Sequence, residues 1–123
     1  IELFLDPAPA RLDRHHPSAY YPGICRLFVM PRWKQPAKLA VWKNAAGLSE
    51  KNIRCSVENC PDGYRVRLVL PASVLPENEF GCEIKINDAE GRKKTVREAY
   101  LFGAKQAYRD RLEFGIIRKE QKQ

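Results

Sequence analysis

The stretch Phe80-Gly-Cys-Glu-Ile-Lys-Ile-Asn-Asp-Ala-Glu-Gly91 decides the fold. It places Phe80, Cys82, Ile84 and Ile86 at every second position, then runs into an amide, two carboxylates and a glycine. A period of two marks a strand with one buried face. The spacing predicts a strand over Phe80 to Ile86 with those four side chains inward. Its polar end admits three readings: a metal loop, a catalytic carboxylate pair, or a polar turn at a sheet edge.

Outward from this strand the same pattern recurs. Ile1 to Leu5 reads as a strand stopped by Asp6-Pro-Ala-Pro, and Ile24 to Met30 as another closed by Pro31. Arg11 to Pro22 reads as a loop, and Leu39 to Trp42 as a short strand. Ile53 to Glu58 and Tyr64 to Leu70 alternate about Pro61-Asp-Gly63, which predicts a hairpin with Tyr64, Val66, Leu68 and Leu70 on one face. Thr95 to Phe102 and Phe114 to Arg118 complete the set. No helical stripe of useful length is present. Many short strands punctuated by proline and glycine predict an all-β, antiparallel β-sandwich in a single domain spanning 1–123.

Composition narrows the classes. At 44% hydrophobic and 30% charged, the 123 residues suit an ordered globular domain rather than a disordered chain. No apolar run approaches the roughly 20 residues of a membrane span. The chain opens on strand-like sequence with no initiator Met or signal peptide, which suggests a mature or clipped product. The net charge of +7 favours anionic partners. Its cations are scattered, however: only Arg92-Lys93-Lys94 forms a run, fitting a solvated hairpin tip, and no nucleic-acid motif accompanies it. Four cysteines, Cys25, Cys55, Cys60 and Cys82, allow three fully paired connectivities. Cys25 and Cys82 fall in apolar strand segments as small buried hydrophobes, while Cys55 and Cys60 bracket a hairpin arm where any bridge would be local.

The three readings of the polar end separate on chemistry. With Gly91 at the sixth place of a helix-loop-helix calcium loop, Asp88 and Glu90 fit the third and fifth, but Ile86 falls first and Arg97 twelfth. An apolar and a cationic ligand defeat the match, so the residues do not support a structural calcium. A glycosidase pair needs two acids facing across a sugar with separated pKa values, whereas Asp88 and Glu90 share one turn beside Arg92 and Lys93. His15-His16 beside Asp13 reads as a loop, without a nucleophile signature. There remains the polar turn, in which Asn87 and Asp88 satisfy backbone donors and Glu90-Gly91 reverses the chain.

Four stretches, in order, carry a resemblance. Ile1-Glu-Leu-Phe-Leu-Asp6, Gly63-Tyr-Arg-Val-Arg-Leu-Val-Leu-Pro71, Phe80 to Gly91 and Tyr108-Arg-Asp-Arg-Leu-Glu-Phe-Gly115 together resemble family 9 carbohydrate-binding modules. The resemblance implies a jelly-roll-like sandwich that binds a mono- or oligosaccharide without catalysis, often beside a glycoside hydrolase, with no cofactor. It implies a sugar ring stacked on Tyr108 and hydroxyls held by Glu2, Arg26 and Lys85. These three alternate with apolar neighbours, which sets them on an outward strand face and equally fits plain solvated residues. Tyr100 matches a second family aromatic in a packing role; Trp33 and Trp42 fit core or loop-anchor roles.

Departures accompany it. Tyr stands for Trp at 108 and Lys for Gln at 85, and with Arg26 and the basic balance this suggests an acidic sugar. The family's opening third is absent, so the expectation is a fragment of a longer, secreted bacterial protein whose missing strands come from the parent chain or a partner. The competing expectations are a structural or interaction sandwich without a sugar site, and a piece of a larger glycoside hydrolase.

Overall fold

Antiparallel pairing of the alternating segments builds two sheets. The computed structural model describes residues 1–7, 24–31, 38–44, 48–75, 78–88, 97–107 and 113–120. Among these are strands β1 (Glu2–Asp6), β2 (Cys25–Met30), β3 (Lys38–Asn44), β4 (Arg54–Cys60), β5 (Gly63–Val69), β6 (Glu79–Asp88), β7 (Arg97–Tyr100) and β8 (Gly115–Arg118), with two short 3-10 turns and no α-helix. The larger sheet runs β3-β2-β1-β6-β7, with β8 also on β6, and the smaller is the β4–β5 hairpin. β1, β2 and β3 pair in succession, and β6 returns to lie against β1. That is Greek-key order, with the hairpin inserted in the long connection. The fold is all-β and antiparallel, and its sheets pack together in sandwich fashion.

The hairpin turns through Pro61 and Asp62, and Gly63 follows at φ 150°, where a side chain would be strained. β4 and β5 then zip from Cys60↔Gly63 to Arg54↔Val69. Leu68 and Leu70 lean on the core as the alternation predicts, whereas Tyr64 at the tip is exposed.

The core lies between the sheets. Leu5, Cys25, Leu27 and Cys82 project from one face of the larger sheet and meet Leu48, Ile53 and Val74, with Leu3, Leu39, Val41, Phe80 and Ile84 around them. Burying an aliphatic side chain of this size stabilises by about 2 kcal/mol, so this cluster dominates the fold. Both cysteine thiols in it are buried, as predicted. Burial, followed by the charge of adjacent Glu83, pushes the Cys82 thiol up to about 11. The local Cys55–Cys60 bridge does not form. Both residues sit on β4, five apart, on opposite faces and about 16 Å from each other, far beyond disulfide reach.

β6 differs from its predicted form at its end. It runs on through Asp88, with Asn87 opposite Glu98 and Asp88 opposite Arg97 in the β7 ladder, so no turn occurs at Asn87. Ile86 lies beyond the core cluster and is exposed, not inward. β7 ends at Tyr100, two residues before the end of the predicted 95–102 strand.

The other face of the larger sheet holds a second cluster: Phe4, Ile24, Ala104, Ala107 and Phe114. Here β6 lies against β8 up to Cys82 and against β7 from Lys85. Residues 101–107 pass over the gap, and the fully buried Glu83 carboxylate meets them. Its Oε1 accepts the Ile84 N–H at 2.8 Å and the Phe102 N–H at 3.0 Å; its Oε2 accepts the Ala104 N–H at 2.8 Å. Gly103, at φ 83°, gives the bend between those donors. Gly115 leaves room for the Phe102 ring, which would lie 2.4 Å from a Cβ there. Replacing Glu83 by Ala strands these amides over an apolar surface. The expected cost is about 3 kcal/mol, read as a lower urea midpoint; a change below 0.5 kcal/mol would show the carboxylate to be dispensable.

Candidate functional site

Register places the site. Glu2 lies opposite Phe28 on β2 and Lys85 on β6, Arg26 lies opposite Phe4, and Lys85 lies opposite Tyr100. By strand alternation Glu2, Phe4, Arg26, Phe28, Glu83, Lys85, Asn87 and Tyr100 therefore share one face.

The Glu2 carboxylate is the hub. Arg26 donates Nε–H to Glu2 Oε2 at 3.1 Å and its Nη2 to the same oxygen. Asn87 Nδ2 donates to Glu2 Oε1 at 2.8 Å. The Arg26 guanidinium also sits 5.0 Å from the Phe4 ring centroid and 4.8 Å from that of Phe28, sandwiched by two π faces. Lys85 Nζ lies 2.7 Å from Glu98 Oε1 and 3.9 Å from Glu2 Oε1, with the Tyr100 ring centroid at 5.6 Å. Tyr100 Oη donates to Glu98 Oε2 at 2.9 Å. Two carboxylates, two cations, an amide and a phenol thus form one chain of contacts across four strands. Beside it a shallow depression of 430 Å³ is lined by Arg26, Phe28, Ala40 and Val41.

Burial here contradicts the solvated outward face expected of these strands. The side chains of Glu2, Arg26 and Lys85 are only 8%, 12% and 16% exposed, against 46% for Glu98. They shield one another. For Lys85, burial pulls the ammonium's pKa down, but the hydrogen bond to Glu98 and the charges of Glu2, Tyr100 and Glu98 outweigh it, leaving it above 10.5. Hydrogen bonds from Lys85 and Tyr100 hold the Glu98 carboxyl below 4.5. Burial and the bond to Glu98 raise the Tyr100 phenol.

Three of the four sequence-predicted site residues, Glu2, Arg26 and Lys85, come together. Tyr108 lies outside the described residues, as do Asp13, His15, His16, Trp33, Glu90, Gly91 and the basic run 92–94. Glu98 and Phe28 join the site without having been singled out, and Asn87 joins it after being read as a turn residue. For Asn87 the turn chemistry of its neighbours hid the strand; Phe28 carried a usable signal, being an aromatic in phase with Arg26. Among the described residues no three His, Cys, Asp or Glu side chains gather to hold a metal, and no helix is long and apolar enough to cross a membrane. No family model, curated protein or solved structure matches this chain.

The shifted groups predict a pH dependence. Glu98 is depressed when folded, so its contribution is present above pH 4.5 and is lost as pH falls through its lowered value. Lys85 is raised, so its contribution is complete below pH 10.5 and is lost as pH climbs through the folded value. Urea midpoints measured against pH should fall at both ends, and Glu98→Gln should flatten both limbs. An unchanged Glu98→Gln profile would contradict the network.

Proposed function

We propose that this chain is a non-catalytic carbohydrate-binding domain of the family 9 type, acting outside the cell beside a polysaccharide-degrading enzyme. The observation that carries the reading is the convergence of Glu2, Arg26 and Lys85, from three different strands, on one patch flanked by aromatic rings. Sugar recognition needs such a pairing: C–H faces stack on rings, while hydroxyls exchange water for directional partners.

The polar groups are pre-set by one another, which lowers the entropy cost of binding. Lys85 has three N–H donors and spends one on Glu98. A sugar hydroxyl beside it could accept from Nζ and donate to Glu2 Oε1, since the 3.9 Å between those atoms is short enough for one oxygen to reach both. Phe28 and the adjoining depression supply an apolar surface, and Tyr108 is the proposed second ring. Because Glu2 and Glu98 already neutralise Arg26 and Lys85, this patch suits neutral hydroxyls better than a carboxylated sugar.

A second reading also has an observation in its favour. Both Glu2 oxygens already accept hydrogen bonds, as in a structural domain that needs no ligand. Titration with a glycan panel separates the two, followed by backbone amide shifts. A binding domain predicts that a neutral saccharide shifts Glu2, Arg26, Lys85, Asn87 and Tyr100, and that Tyr108→Ala weakens binding about tenfold. If no saccharide perturbs this face, while Arg26→Ala lowers stability by about 3 kcal/mol as for a broken buried pair, the structural reading holds instead.

A further inference from the structure

Arg26 and Lys85 of the polar face are each paired with a carboxylate, whereas two arginines on the outer face of the hairpin are not. There Arg54 stands opposite Val69, Ser56 opposite Arg67 and Glu58 opposite Arg65. Arg65 is spoken for, with Nη1 at 3.4 Å from Glu58 Oε2. Arg54 and Arg67 have no hydrogen bond or ion pair among the described residues. They are diagonal neighbours across adjacent rows of the ladder, with Ser56 and Val69 at the other two corners. Together with Cys55 and Val69 they line a 290 Å³ depression.

We propose that this ledge binds one tetrahedral oxyanion group of the sulfate type. Two like charges on neighbouring rows repel and oppose hairpin formation, so an anion seated between them relieves a cost the hairpin otherwise carries. Guanidinium forks match such an anion with paired N–H donors, and Ser56, lining the same depression, carries a hydroxyl able to donate to it. The Glu58–Arg65 pair ends the positive charge on the next row, so the ledge spans one anionic group and does not track a polymer backbone. Val69 walls it on the remaining side. The anion site stands independently of the sugar reading. That reading enters only in naming the carrier, which is then a sulfated glycan.

The test uses the whole chain, with Arg Nε–H signals followed by NMR during titration with inorganic sulfate, a sulfated disaccharide, its unsulfated parent and a short single-stranded oligonucleotide. Inorganic sulfate and the sulfated disaccharide are expected to shift Arg54 and Arg67 while the unsulfated parent does not. Arg54→Gln and Arg67→Gln should each weaken binding roughly tenfold, and Arg65→Gln should leave it within about twofold. A response to inorganic sulfate alone would keep the oxyanion site and remove the glycan as its carrier. Silence from both sulfate probes, equal loss in Arg65→Gln, or tighter binding of the oligonucleotide through the same residues would overturn the proposal.

Discussion

The buried carboxylate of Glu83 constrains the rest of the molecule. It stands mid-way along β6, fully enclosed, and takes its hydrogen bonds from the Ile84, Phe102 and Ala104 amides. A one-residue slip of β6 on β1 would turn Glu83 and Lys85 into the aliphatic core and expel Cys82 and Ile84. The carboxylate therefore fixes register as well as anchoring residues 101–107. Once β6 is fixed, Lys85 falls beside Glu2, and the polar patch assembles without further choice.

The larger sheet consequently has two unlike sides. One is aliphatic and covered by the hairpin. The other is divided along its length: apolar at the Phe4–Phe114 end, where the rings meet at 6.0 Å, and ionic at the Glu2 end. Glu83 sits between the two halves. Hydrophobic burial supplies most of the stability, while the charged half contributes specificity of arrangement, since each ion's position depends on its partners.

Much of the fold was legible because alternation and turn chemistry are local. Val57 and Leu68 on either side of Pro61-Asp-Gly63 declare a hairpin, and Leu3, Leu5, Cys82 and Ile84 declare their strands. What covers a sheet's second face is not local. Glu2, Arg26, Lys85 and Glu83 alternate with aliphatics as solvated residues do; the return of 101–107 over Glu83 and the pairing of β1 between β2 and β6 are not written in that alternation. Asn87 misled for a related reason: Asn-Asp-Ala-Glu-Gly has turn composition, yet pairing with β7 held two of its residues in the strand. The grouping of Glu2, Arg26 and Lys85 came from a resemblance to a family, not from their spacing along the chain.

Native-state hydrogen exchange at the Phe102 and Ala104 amides tests the central claim most directly, because both donate to Glu83 from a segment with no strand pairing of its own. These two amides should exchange only through openings nearly as costly as global unfolding, and Glu83→Gln should speed both selectively. Exchange at the rate of an open loop in the unaltered protein would contradict the account.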